Sequence, residues 1–173
     1  MTDPKRTEAP AGGRRRRHDP GRRERIAAAA GVPLGSMTYH FSGMDELLHE
    51  AFTLFSRSVM ERFEQRMASA ADRGEAARAV VAIATDDVFA TRRDLVLTHE
   101  LYALAARDPA YRDLANAWMS GGRAALERHF DPTAARLLDA LIEGLTIHRA
   151  LDTEPQDPAP VRAAVDRLVP PLR

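Results

Sequence analysis

The chain contains no cysteine, which excludes disulfides, thiolate zinc sites and a cysteine nucleophile together. It also lacks a long apolar run. The longest uninterrupted one, Ala79 to Ala84, is far short of the roughly 20 residues that a membrane-spanning helix needs. Arginines and prolines occupy the first 30 residues where a secretory signal would need its apolar stretch, so the expectation is a cytoplasmic protein with no membrane partner. No segment alternates apolar and polar residues with period two, and no internal repeat is present, which leaves helix as the regular structure. Two-histidine metal spacing, a Gly-rich phosphate loop and a nucleophile elbow are all missing, so no metal and no cofactor are expected. His99-Glu100 is the best case for catalysis, but adjacent helical residues point in different directions and the pair has no third partner in sequence. No catalytic residue is assigned, and the chain is not read as an enzyme.

What is present is an ordinary globular composition with an unusual charge distribution. The 173 residues are 45% apolar and 29% charged, enough for one sizeable core or a small domain beside a medium one. A formal net charge of zero conceals nine basic residues against four acidic ones in residues 1–25. Residues 1–21 hold Pro4, Pro10, Gly12, Gly13, Pro20 and Gly21 and offer no amphipathic face, so they read as a disordered basic arm. Arg14, Arg15, Arg16 and Arg17, with Arg25 beyond, are candidate phosphate-backbone contacts. The plainer alternative is a solvated leader.

The most informative stretch is Ala30-Gly31-Val32-Pro33-Leu34-Gly35-Ser36-Met37-Thr38-Tyr39-His40-Phe41. An alanine-rich helical run from Arg23 ends at Gly31, where a helix wants a left-handed residue that glycine adopts without steric cost. Pro33 cannot continue that helix, and Gly35 or Ser36 can start the next. The short helix that follows presents Ser36, Thr38, Tyr39 and His40, whose side chains hydrogen-bond phosphates or base edges. For Tyr39 the alternative is that it packs the turn. Phe41 is a core residue on either reading.

Here the sequence resembles the TetR family of transcriptional regulators, whose DNA-binding motif ends in tyrosine, histidine or tyrosine, and phenylalanine, followed by a break and a Glu-Leu-Leu helix start. The matching residues are Tyr39-His40-Phe41 and Asp45-Glu46-Leu47-Leu48, with Ala30-Gly31-Val32 and Gly35 at the expected offsets. The resemblance implies a repressor that binds a double-stranded, palindromic operator as a homodimer and is released by a small-molecule effector. Three departures are visible. Thr38 stands where the family often has an aromatic residue, and Met44 where it often has a phosphate-contacting lysine. The third is larger: Gly21 to Ile26 resembles the lead-in to the family's first helix, yet it runs directly into Ala27 to Gly31, which resembles the end of the second. About one helix and a turn look deleted, a loss of about 5–12 kcal/mol if that helix buried three or four large side chains. This leaves open a second reading, a ligand-sensing or dimer-forming module without specific DNA binding.

The remainder reads as helices. A long one runs from Met44 to about Ala71, capped by Ser42 with Asp45 three residues on; Gly74 punctuates; and further helices cover Glu75 to Ala90 and Arg92 to Arg107. Three Asp-Pro steps, at Asp108, Asp131 and Asp157, are helix starts. The expected fold is all-α, a helix-turn-helix remnant in 22–50 followed by a ligand-binding and dimerisation bundle in 51–173. Phe89, His99, Tyr102, Trp118, Met119 and His148 are candidates for lining a mostly apolar effector cavity, although each alone is equally at home in a core. Leu138, Leu141, Leu145, Val161 and Val165 are the candidate dimer interface, because the last two long helices offer broad apolar faces and the resemblance places a four-helix interface there.

Overall fold

The computed structural model describes residues 20–85, 91–154 and 157–170. Among the described residues there are eight α-helices and no strand: α1 (Pro20–Ala30), α2 (Leu34–His40), α3 (Met44–Ala68), α4 (Arg73–Thr85), α5 (Arg92–Ala105), α6 (Pro109–Leu126), α7 (Pro132–Leu151) and α8 (Pro158–Leu168). The all-α expectation holds. The chain divides into two compact units, Met1–Glu46 and Leu47–Arg173. The arginines Arg14, Arg15, Arg16 and Arg17, and Phe89, lie outside the described residues.

In the first unit, α1 begins at Pro20, so the last two residues of the expected arm are helical. Gly31 adopts φ +66, the left-handed conformation that glycine reaches without a Cβ penalty. Its N–H meets the Ala28 carbonyl at 3.2 Å, and the Val32 N–H meets the Ala27 carbonyl at 3.0 Å. This paired closure satisfies two carbonyls that the helix end would otherwise leave open. Pro33 is the N-cap of α2 in extended backbone, so the helix starts at Leu34, one residue before Gly35, the earlier of the two expected starts. At the start of the long helix the Ser42 N–H and Oγ both donate to Glu46 Oε2, at 2.7 and 2.5 Å, so Ser42 joins the cap as expected and Glu46 takes part in it. Those bonds hold the Glu46 carboxyl below its ordinary range.

The second unit packs α3 to α8 around two apolar clusters. The larger joins Phe63, Met67, Val80, Ile83, Leu126, Leu138 and Val165, from α3, α4, α6, α7 and α8. The smaller joins Phe52, Leu101, Ala105, Tyr111 and Ala115, from α3, α5 and α6. Phe55 and Trp118 pack against both. The three Asp-Pro steps behave as expected: Asp108, Asp131 and Asp157 each accept a backbone N–H of the helix they start. Gly74 does not break the chain. Asp72 Oδ1 accepts the Glu75 N–H at 2.8 Å and Glu75 Oε2 accepts the Ala71 N–H at 2.9 Å, so α4 starts at Arg73 with Gly74 inside its first turn. Among the described residues no helix is long and apolar enough to cross a membrane.

Candidate nucleic-acid interface and ligand cavity

The exposed face of the first unit is built by the turn just described. Because α2 is only seven residues long, Met37 alone anchors it in the interior. Ser36, Thr38, Tyr39 and His40 are all exposed, and Tyr39 shows 85% of its surface to solvent. Thr38 Oγ1 donates to the Gly35 carbonyl at 2.9 Å, which fixes its rotamer and leaves its lone pairs outward. The Tyr39 and His40 rings meet edge to face with centroids 5.1 Å apart. Arg25 is exposed on α1, with Nε donating to the Gly21 carbonyl at 3.1 Å. A tyrosine that packed the turn would be covered; this one is not. Beneath this face the core is thin. Among the described residues of the unit only Ala27 and Met37 are buried, while Val32 and Leu34 are 41% and 39% exposed.

The second unit contains a small enclosed cavity among α3, α5, α6 and α7, of about 20 Å³. Its apolar walls include Met60, Phe63, Trp118 and Ile142. Trp118 lies 5.9 Å from Phe55 and 6.3 Å from Tyr102, ring centroid to centroid. Its polar lining includes Tyr102, Asp139 and Glu143. Tyr102 donates its hydroxyl proton to Glu143 Oε1 at 2.6 Å. Burial, and then the neighbouring Glu143 charge, raises the Tyr102 phenol above its ordinary range. One turn before Glu143, Asp139 Oδ2 accepts from Arg123 at 3.1 Å. Burial and Glu143 push the Asp139 carboxyl up to about 6, against the opposing pull of Arg123. Gly121 and Gly122 permit this packing: a Cβ at Gly122 would stand 3.3 Å from Asp139 Oδ1, and one at Gly121 only 2.9 Å from the Met60 sulfur.

Of the six residues expected at an effector site, the structure brings Tyr102 and Trp118 to this cavity. His99 and Met119 are half-buried but are not among its lining residues, and His99 Nε2 is buried without a hydrogen-bond partner. His148 is on the surface. Asp139, Glu143 and Met60 were not foreseen. The signal for the carboxylates was their spacing of four on α7, flanking Leu138 and Ile142; charges beside an apolar stripe ordinarily mark its solvent edge. The interface candidates are also redistributed. Leu138, Val161 and Val165, at 0%, 4% and 0% exposure, belong to the unit's own core, because they sit on the helix faces turned inward. Leu141 and Leu145 are half-buried. The apolar residues open to solvent on α7 are Leu137, Ile147 and Leu151.

An exposed polar recognition helix set by a glycine turn, together with a cavity-bearing helical bundle, defines an all-helical DNA-binding regulator. Residues 71–171 match the family described as Tetracyclin repressor-like, C-terminal domain. SCO7518 from Streptomyces coelicolor A3(2), to which a role in transcriptional regulation has been ascribed, is 52% identical, with 86% of each chain covered and a TM-score of 0.74. EbrR, a multidrug binding protein whose structure was determined with imidazole, is 31% identical, covering 87% of this chain and 84% of its own, with a TM-score of 0.66. No curated protein matches the sequence. The chain belongs to the TetR family of transcriptional regulators.

Proposed function

We propose that the protein is a cytoplasmic repressor that binds a palindromic operator as a homodimer and is released when a small molecule enters the cavity of the second unit. The carrying observation is the outward face of α2, where Ser36, Thr38, Tyr39 and His40 stand exposed together. Two such helices held about 34–36 Å apart would enter successive major grooves. Tyr39 and His40 would then contact phosphates, and Ser36 and Thr38 phosphates or base edges. Met44 supplies no charge at the place where family members often carry lysine. Arg25 and the run Arg14 to Arg17 would add sequence-independent affinity.

The dimer is formed through α7. Leu137, Ala140, Gly144, Ile147 and Leu151 follow one another at helical spacings of three and four, making a stripe of one face. Leu137, Ile147 and Leu151 on it are 48%, 42% and 78% exposed, a costly arrangement for a chain that stays single. A Cβ at Gly144 would meet nothing within 4 Å, so this chain's own packing does not require a glycine there, and the gap admits a partner helix. For the effector, the multidrug binding of EbrR supports a small organic ligand, which the aromatic-walled cavity would receive by opening. The role is binding rather than catalysis. A gel shift against the DNA upstream of its own gene tests the reading: a complex lost on replacing Tyr39 and His40 with alanine supports it, and no complex with any palindrome in that region refutes it.

A further inference from the structure

Of the two carboxylates of the cavity, Glu143 is short of positive charge. Asp139 and Glu143 are one helical turn apart on α7 and both line the cavity. One guanidinium, Arg123, is bonded to Asp139. Among the described residues, the Glu143 carboxylate accepts a neutral phenol proton from Tyr102 and has no bonded cation. Half-buried carboxylates ordinarily take an ion pair or several hydrogen bonds, and Asp139 has Arg123 bonded to it and Arg136 nearby, so it is Glu143, held by one phenol, that is undercompensated. The same cavity is lined by Trp118 and Tyr102, aromatic faces that attract cations, and by Met60, a flexible side chain able to move as a ligand enters. We propose that this cavity binds an apolar organic cation, its charge against Glu143 and Asp139 and its body against Trp118 and Met60, and that the Tyr102 hydroxyl holds Glu143 in the ligand-free state. This rests on the cavity being the effector site and names the effector's chemical class. At about 20 Å³ the space admits little more than a water molecule. Binding therefore requires Tyr102 to release Glu143 and swing aside, exchanging one neutral donor for a full positive charge.

Trp118 is the chain's single tryptophan, so its fluorescence reads occupancy of the cavity directly. The probes are benzyltrimethylammonium, a permanent cation, and neopentylbenzene, its uncharged isostere with carbon in place of nitrogen. The cation is expected to shift Trp118 emission saturably and to bind at least about tenfold more tightly than the neutral probe. Glu143→Gln should abolish that preference and leave neopentylbenzene unaffected. Tyr102→Phe should tighten the cation by about threefold or more, since the competing hydrogen bond is gone, an outcome that a merely structural hydroxyl would not give. If Glu143→Gln fails to fold by circular dichroism, Asp139→Asn serves in its place. Equal affinity for the two probes, or an unchanged preference in the carboxamide variant, overturns the assignment of a cationic ligand. Release of bound operator DNA by neopentylbenzene alone would do so while leaving the regulator reading intact. If neither probe moves Trp118 or operator binding, the cavity is not the effector site and both fall.

Discussion

Tyr102 on α5 donates a 2.6 Å hydrogen bond to Glu143 on α7, 41 residues further along the chain. The bond joins two helices across the cavity and satisfies a half-buried phenol and a carboxylate at once. Tyr102→Phe should therefore destabilise the second unit by about 1.5–3 kcal/mol, the usual range for a hydrogen bond to a charged group. Urea unfolding followed by Trp118 fluorescence measures it. A midpoint unchanged from wild type would mean that water replaces the hydroxyl at no cost.

Asp139 gives a pH dependence of definite sign. The unfolded chain releases this proton near 3.8, whereas the folded chain holds it until about 6. Between those values the folded state carries more protons, so this group's contribution makes stability fall as pH rises through the window. Asp139→Asn mimics the protonated form. The variant should be more stable than wild type above about pH 6, by about 1 kcal/mol after allowance for solvent screening, with the advantage gone near pH 4. An advantage constant across that range would show that Asp139 does not titrate in the fold as described.

Gly31 is the hinge of the first unit, at φ +66. A Cβ there meets nothing within 4 Å, so Gly31→Ala introduces backbone strain without a clash, costing about 1–2 kcal/mol. With Ala27 and Met37 as the buried residues of this unit among those described, such a cost is a large share of what holds it. Amide exchange in residues 22–41 should be fast in the wild type and faster in the variant, with the amides of α4 and α7 unaffected. Slow exchange in 22–41 of the wild type would show that this thin core is reinforced from elsewhere.

Most of the architecture was legible in the sequence because its signals are local. Gly31 and the Asp108, Asp131 and Asp157 caps act within a turn of themselves, and each marked a real helix end. The boundary at Gly74 was misread because Asp72 and Glu75 together start a helix through a glycine that alone would stop one. The cavity was half legible. Tyr102 and Trp118 stand out as amphipathic aromatics, but Asp139 and Glu143 become site residues only through the approach of α5 and α6, and α6 comes close to α3 and α7 where Gly121 and Gly122 have no side chain. The same limit explains Leu138, Val161 and Val165. A broad apolar face says that a helix is buried on most sides, and only the packing of α4 against α7 and α8 decides which side is left for a partner.

That remaining side makes a paired prediction. Ile147→Glu should leave the unit folded and reduce the particle from twice the 19.1 kDa chain mass to a single chain in light scattering at micromolar concentration, because a charge in an apolar interface costs several kcal/mol. Leu138→Glu, at a position with no exposed surface, should instead unfold it. A wild-type mass of one chain would remove the dimer from the account.

The central claim is that α2 reads DNA, and fluorescence anisotropy with a labelled palindromic duplex from the upstream region tests it most directly. At about 150 mM salt the wild type is expected to bind that duplex at least about a thousandfold more tightly than a scrambled one. Replacing Tyr39 and His40 with alanine should weaken the complex by tenfold or more, about 1.4 kcal/mol. Equal affinity for palindrome and scrambled duplex, unaltered by those substitutions, would contradict the account.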